Sequence, residues 1–362
     1  MSPRVEAVTA AAFRIPTDAP ESDGTLEWDA TTLIVVTARG GGTTGLGYGY
    51  AHRAAAALIA DTLAPRVTGT DALAVPAAWH AMNAAVRNLG RPGLGAMAVS
   101  AVDVALWDLK ARLLGVPLFA LLGAVRRGVM AYGSGGFTSY DDGRLAGQLA
   151  GWVADGLTAV KMKVGRDPAR DEARVALARR AIGDGPDLFV DANGAYGVKQ
   201  ALAMAGRFAA QGVSWFEEPV SSDDLDGLCR LVEGVPPGME VTAGEYGDGP
   251  VYFRRMLEAG AVDVLQPDAT RCGGVTGFLR AEALADAFDV PLSAHTAPTL
   301  HAHLGCACRR VRHVEYFHDH ARIEEMLFDG ALRPAGGTLT PDASRPGLGL
   351  TFREADARRY AV

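Results

Sequence analysis

The spacing of apolar and polar positions changes twice along the chain. Through residues 1–53 the apolar positions fall in short β-like runs: VEAVTAAAFRIP, TTLIVVTARG, a Gly-rich turn, and GLGYGYAH. This pattern predicts a small antiparallel sheet. From Ala54 to Leu122 the pattern is helical, most clearly in AMAVSAVDVALWDLKARLLG, with Gly115-Val-Pro117 interrupting it. After Arg127 eight β-like runs follow: VMAYGSGG, LTAVKMKVG, DLFVDANG, VSWFEEPV, EVTAGEY, AVDVLQPDAT, VPLSAHT and HVEYFHDH. The segments between them, such as RDEARVALARRAIG and VKQALAMAGRFAAQG, have helical composition and end in Gly. Regular alternation of this kind predicts a (β/α) barrel, preceded by an α+β accessory domain of about 120 residues.

Composition agrees and removes several classes of function. The 362 residues are ample for a barrel plus an accessory domain. Hydrophobic residues make up 49% and charged residues 21%, and no apolar run reaches the roughly 18–20 residues of a membrane span. A net charge of −7 without a Lys/Arg-rich run argues against nucleic acid as a partner. The opening MSPRVEAVTAAAF meets polar residues too early for a signal-peptide core, and only Cys229, Cys272, Cys306 and Cys308 are present. A reduced, cytoplasmic setting is the expectation. Cys306 and Cys308 are two residues apart on an expected helix and point away from each other, with no second Cys/His pair at zinc-finger spacing. They are read as small buried side chains.

In a (β/α) barrel the chemistry collects at the C-terminal ends of the strands. Here nearly every β run closes on an ionisable group: Lys161 and Lys163, Asp191 beside Asn193, Glu217 and Glu218, Glu245, Asp268, His295, and Glu315. The period of two puts Lys161 and Lys163 on one face of AVKMKVG, and Val160, Met162 and Val164 on the other. The lysines therefore face the barrel interior. Asp191, Glu217 and Glu245 stand 26 and 28 residues apart, about one βα unit each. Three convergent carboxylates repel unless a cation sits among them, and an all-oxygen set suits Mg²⁺, with Mn²⁺ accepting the same donors. Periodicity does not choose between Glu217 and Glu218. Asp268 and His295 close consecutive runs, so the carboxylate is placed to fix the imidazole tautomer. Lys163 serves as a base only with a lowered pKa, which a neighbouring Lys161 and a metal would supply. The Gly-rich RCGGVTG is a conceivable phosphate cradle but lacks the Gly-x-x-x-x-Gly-Lys-Ser/Thr spacing.

This ordered set resembles the enolase superfamily and, within it, the mandelate racemase subgroup. The matching elements are VKMKVG, VDANG, WFEEP, AGE, QPDATRCGGVTG, SAH and VEYF, together with RPGLGAMAVSAVDVALWDLKARLLGVPLFALLG. They span essentially the whole chain. The resemblance implies a (β/α)7β barrel over residues 126–335, an N-terminal capping domain over 1–125, and a C-terminal segment, 336–362, packing back on the cap. It makes Asp191, Glu217 and Glu245 the Mg²⁺ ligands, the first Glu of the EEP motif being the one used. Lys163 becomes one base, with Lys161 beside it touching the substrate carboxylate. His295, paired with Asp268, becomes the second acid/base. Glu315 is implied to stay protonated and to donate to the substrate carboxylate, while Asn193 and Ser134 match substrate-contact positions. Two capping loops are implied. One, about Pro16 to Asp29, carries Asp18, Glu21, Asp23, Glu27 and Asp29 with no basic residue; the other, about Gly47 to Arg53, carries Tyr50, His52 and Arg53. A homo-oligomer, often an octamer, is also implied.

The expected chemistry is removal of the proton α to a carboxylate through an enediolate stabilised by Mg²⁺ and Glu315. With two bases on opposite faces, the second group either returns a proton, giving racemisation or epimerisation, or protonates a leaving hydroxyl. Dehydration of an aldonate or aldarate to a 2-keto-3-deoxy acid is the favoured expectation. The alternatives are a 2-hydroxy-acid racemase or epimerase and a sugar-lactone cycloisomerase. A catalytically dead scaffold would be expected to lack a ligand or a base, and none is missing. The acidic first loop argues against a second substrate carboxylate, and His52 with Arg53 argues for one.

Overall fold

The structure is a computed structural model that describes residues 2–362. Three antiparallel strands, β1 (Val5–Ser22), β2 (Glu27–Gly40) and β3 (Thr43–Tyr50), form the sheet of the cap in the order β1-β2-β3. The long helix Leu94–Leu113 lies across β3 at unusually short range. Gly47 makes this possible, because a Cβ there would stand 2.2 Å from the Ala101 carbonyl oxygen. The helix answers with Ala101 and Ala105, so its backbone approaches the strand directly.

Eight parallel strands then close a barrel: β4 (Val129–Gly135), β5 (Ala159–Lys163), β6 (Asp187–Asp191), β7 (Val213–Glu217), β8 (Glu240–Ala243), β9 (Val264–Leu265), β10 (Leu292–Ala294) and β11 (Val311–Phe317), with β11 pairing back to β4. A helix separates each consecutive pair, which gives the seven βα units and eighth strand expected. The helix after β11, His318–Leu327, is tied to the cap: Tyr48 donates to Glu324 Oε1 at 2.7 Å and Arg322 donates to the Pro16 carbonyl at 2.7 Å.

Register explains how the lumen is layered. Ser134, Lys161, Phe189 and Trp215 are cross-strand partners in sequence, and two residues further on Lys163, Asp191 and Glu217 form the next row. Because inward positions repeat every second residue, the lower row supplies aromatic rings together with Lys161, and the upper row Lys163 and the carboxylates. Tyr132, Phe189 and Trp215 form an aromatic floor, the last two rings stacked at 5.0 Å.

The C-terminal segment crosses from barrel to cap. Thr338–Leu339 pairs antiparallel with β4, Gly347 accepts from Leu118 N, and Val362 N donates to Ala12. Asp108, wholly buried on the cap helix, ties these parts together by accepting from Leu46 N (2.7 Å), Leu348 N (2.6 Å) and Arg112 Nε (2.5 Å). Among the described residues no helix is long and apolar enough to cross a membrane. The four cysteines are free, three of them buried.

The expected capping loops are mostly strand. β1 runs to Ser22 and β2 starts at Glu27, so the first is a hairpin with a short tip, and the second is strand up to Tyr50. The start of the helix Gly274–Ala287, the RCGGVTG segment, is occupied by the cap: Ser100 Oγ accepts from Gly273 N and Gly274 N, and Asp103 accepts from Thr276 N. Its amides are thereby used within the protein.

Replacing Asp108 with Ala should strand two buried amides and a partly buried guanidinium, costing about 3–5 kcal/mol of stability. Asp108→Asn, which keeps one acceptor oxygen, should lose less. Denaturant unfolding of the two variants measures the difference, and equal losses would refute this account.

Candidate active site

Strand ends bring Asp191, Glu217 and Glu245 together, one oxygen of each lying within 4.8 Å of the others, all three side chains buried. Glu217 comes from the inward row, in register with Asp191, whereas Glu218 lies past the strand end with a positive φ of 37°. Asp191 accepts from Asn193 N at 2.9 Å and takes the ammonium of Lys163. Glu217 is fixed on both oxygens, by Lys161 Nζ at 2.6 Å on one side and by Gln266 Nε2 (2.8 Å) and Trp215 Nε1 (3.0 Å) on the other. Glu245 meets Arg271 NH1 at 3.3 Å and His295 Nε2 at 3.3 Å.

Burial, reinforced by the negative charge of Asp191, pushes Glu217 up to about 8, against the opposing pull of Lys161. Three buried carboxylates this close, one of them driven toward protonation, are under-compensated. A hard divalent cation with oxygen preference fits that donor set, and Mg²⁺ is the natural occupant.

His295 and Asp268 form a pair, Nδ1 to Oδ2, at 2.8 Å. Burial alone would lower the imidazole, but Glu245 and Glu315 outweigh it and raise His295 to about 10. At Lys163, burial again acts to lower the ammonium, yet the Asp191 carboxylate overrides both burial and the repulsion of Lys161 and holds it above its ordinary range. The expected lowering rests on Lys161 and a metal acting together, and Lys161 alone does not produce it. The carboxylate nearest Lys163 is a proposed metal ligand, so the balance there is set by what else claims Asp191.

At Glu315, burial acts to raise the carboxyl, but Lys161 and His295 outweigh it and bring it down to about 2. Its oxygens accept from Ser134 Oγ (2.5 Å), Lys161 Nζ (2.8 Å) and Thr296 N (3.2 Å).

Above this cluster lies a cavity of about 530 Å³ between barrel and cap. Lys163, Asn193, Glu245 and His295 reach its wall from the barrel, and Trp28 and His52 from the cap. Lys161, Ser134, Asp191, Glu217, Asp268 and Glu315 are buried and do not reach it. They form the layer that holds the wall in place. Arg53 is exposed and stands off the wall, contrary to expectation, because it opens the helix Ala54–Leu58.

Arg271 was missed by sequence reasoning. It lines the cavity and pairs with Asp268 at 3.5 Å, three residues earlier in the chain, as well as with Glu245. The i,i+3 spacing in DATR was the available signal. A backbone signal also marks the site. Among the described residues, four of the five non-glycine residues with positive φ, Asn193, Glu218, Thr296 and Ala297, directly follow or sit within these strand-end clusters.

A (β/α) barrel whose strand ends bring a carboxylate triad between a lysine and a carboxylate-paired histidine, under a cap, defines a metal-assisted proton-transfer enzyme. Comparison with known proteins gives the family. Residues 11–123 match the mandelate racemase / muconate lactonizing enzyme N-terminal domain, and residues 144–356 match the enolase C-terminal domain-like family. The chain belongs to this family of the enolase superfamily and is an enzyme. It is 32% identical to 3,6-anhydro-alpha-L-galactonate cycloisomerase of Streptomyces coelicolor, over 99% of both chains. A mandelate racemase/muconate lactonizing enzyme-like protein from Rubrobacter xylanophilus superposes with a TM-score of 0.97 at 54% identity, covering 99% of this chain and 100% of that one. L-talarate/galactarate dehydratase from Salmonella typhimurium LT2, solved with Mg and L-lyxarohydroxamate, superposes at 0.91 with 28% identity, covering 100% and 94%. Named relatives thus include both dehydratases and cycloisomerases.

The hairpin tip closes the cavity through close packing. Thr138 N donates to the Ser22 carbonyl at 2.8 Å, and a Cβ on Gly24 would stand 2.3 Å from the Ala192 carbonyl oxygen. Gly24→Ala should therefore lift the tip at a cost of about 1–3 kcal/mol. Faster proteolysis within residues 16–29 and a KM raised about tenfold are expected, with the loss of stability felt as local opening of the tip. Unchanged cleavage and KM would mean that the tip does not close the site.

Proposed function

We propose that this enzyme removes the proton α to the carboxylate of a sugar acid and dehydrates it to a 2-keto-3-deoxy acid. The observation that carries this reading is the placement of Lys163 and His295 on one cavity wall, each touching a different member of the triad, Asp191 and Glu245 respectively. They come from β5 and β10, three strands apart around the closed barrel, which supports a base on either side of a substrate carboxylate near the triad. Bound by Asp191, Glu217 and Glu245, Mg²⁺ supplies Lewis-acid stabilisation of the negative charge that an α-carbanion places on a carboxylate.

The chain's own residues do the rest. One of Lys163 and His295 accepts the α-proton, and the configuration of the α-carbon decides which. The other protonates the hydroxyl that leaves from the next carbon, so the electron pair of the broken C–H bond becomes the new C=C bond as water departs. The resulting enol then tautomerises to the 2-keto product. Asp268 holds the His295 ring so that Nε2 faces the cavity side. Asn193, on the wall, is positioned to contact the substrate. Lys161, Glu315 and Ser134 act from beneath, fixing the charges of the row above. Polar wall residues such as Thr31, Thr32 and Asn193 suit a polyhydroxyl chain better than an aromatic acid.

A second reading has specific support. The cycloisomerase from Streptomyces coelicolor aligns over nearly the full length of both chains. Such a reaction begins with the same α-proton abstraction but expels a ring oxygen that stays in the molecule.

Proton NMR in D₂O with Mg²⁺ and a sugar-acid library separates these outcomes. Dehydration gives a 2-keto-3-deoxy product lighter by one water, whereas cycloisomerisation preserves mass. Chelation of the metal should abolish turnover. Lys163→Ala and His295→Asn should each lower kcat by at least about 10²-fold. Full turnover in both variants would refute the two-base mechanism.

A further inference from the structure

We propose that the substrate carries one carboxylate and an uncharged polyol tail, and that Asp23 is the residue that selects against a second carboxylate. This rests on the sugar-acid reading above and narrows it.

The two ends of the cavity differ in charge. At the barrel end the wall holds Lys163 and Arg271, beside the carboxylates that pair with them. The cap end holds neither lysine nor arginine, and its one charged side chain is Asp23. The cations nearest in sequence or along the hairpin are directed elsewhere. Arg53 is exposed and off the wall, Arg144 pairs with Asp18 at 3.0 Å, and Arg166 pairs with Glu27 at 3.0 Å. His52 accepts the Ala54 amide on Nδ1 at 3.2 Å, which leaves Nε2–H as a hydrogen-bond donor.

Asp23 is held firmly. Its Oδ1 accepts from Thr25 N (2.6 Å), Thr25 Oγ1 (3.2 Å) and Leu26 N (2.7 Å), closing the hairpin tip around it. The side chain is 7% exposed and lines the cavity, while Oδ2 takes no donor from the described residues and is not among the sealed-off polar atoms. The free oxygen thus faces the space where the far end of a substrate lies. A hydroxyl there gains an acceptor. A carboxylate there meets a like charge with no cation to offset it, an arrangement that binding sites use for exclusion.

The test uses the Mg²⁺-loaded full chain and matched acids: D-gluconate with D-glucarate, and D-galactonate with galactarate. Binding is measured by calorimetry and α-proton exchange by NMR in D₂O. The aldonate of at least one pair should bind at least about tenfold more tightly than its aldarate. Asp23→Asn retains Oδ1 for the turn and should erase most of that preference. Asp29→Asn, an exposed change outside the cavity, should leave it unmoved. Aldarates bound or exchanged as well as aldonates, or a preference unchanged in Asp23→Asn, would overturn the inference while leaving the proton-abstraction reading intact. Preferential aldonate binding without loss of the α-proton, by exchange or by dehydration, would instead sink the dehydration reading and leave this one standing. If neither acid of either pair binds, both are wrong.

Discussion

Mutual repulsion among buried carboxylates is the constraint on which the catalytic end of the barrel depends. Asp191, Glu217, Glu245, Asp268 and Glu315 are all nearly inaccessible to solvent. Such a cluster is tolerable only with matching positive charge held at hydrogen-bond range. Lys161, Lys163, Arg271 and a protonated His295 provide it, and every one of them contacts at least one of the five acids. The balance still leaves one negative charge uncovered. A divalent cation on the triad reverses the sign of the site, and an anionic substrate is then the group that restores neutrality. The same arithmetic explains why Glu315 is an acceptor. With Lys161 and a serine hydroxyl already aimed at it, proton occupancy would waste two donors.

Strand register turns that electrostatic requirement into geometry. A lysine at one inward position is level with Ser134 and Phe189 on the two neighbouring strands, and the next inward lysine is level with Asp191. Lys161 is thus seated on the aromatic floor, its Nζ 5.5 Å from the Tyr132 ring centre. A one-residue slip would turn the whole upper row outward. The cap adds a second fixed frame. Trp79 donates to the Gly273 carbonyl at 2.7 Å and Trp107 to Thr276 Oγ1 at 2.9 Å, so the cap helices are anchored on the helix that follows β9. Only the hairpin tip remains attached by a few bonds at the cavity mouth.

Much of this was legible in the chain itself. All eight β-like runs are barrel strands, because a strand buried on both faces leaves a short apolar run ending where the lumen opens. The strand-end acids and bases were visible for the same reason. The hairpin was harder to see. The resemblance implied a capping loop over Pro16 to Asp29, yet β1 runs through Pro16 and Pro20 to Ser22 as an edge strand of the cap sheet, where a missing donor is tolerated. Arg271 was missed because an arginine in the turn before a helix reads as a solvent-facing residue until the fold turns it back over Asp268. The ionisation of Lys163 and Glu315 was out of reach in principle, since each follows from distances between residues on different strands.

The named relatives include dehydratases, cycloisomerases and a racemase, all on this scaffold. The groups that activate the α-carbon are built into strands and locked by neighbours on at least two sides, so they vary little with the far end of the substrate. The far side of the cavity is lined by the cap residues Trp28, Thr31 and His52, none of which pairs with the strand-end charges. On the dehydration reading proposed above, these residues meet the part of the substrate from which the leaving oxygen departs. The hairpin and the end of β3 are thus the parts of this architecture that differ in chemistry from the row of charges in the barrel.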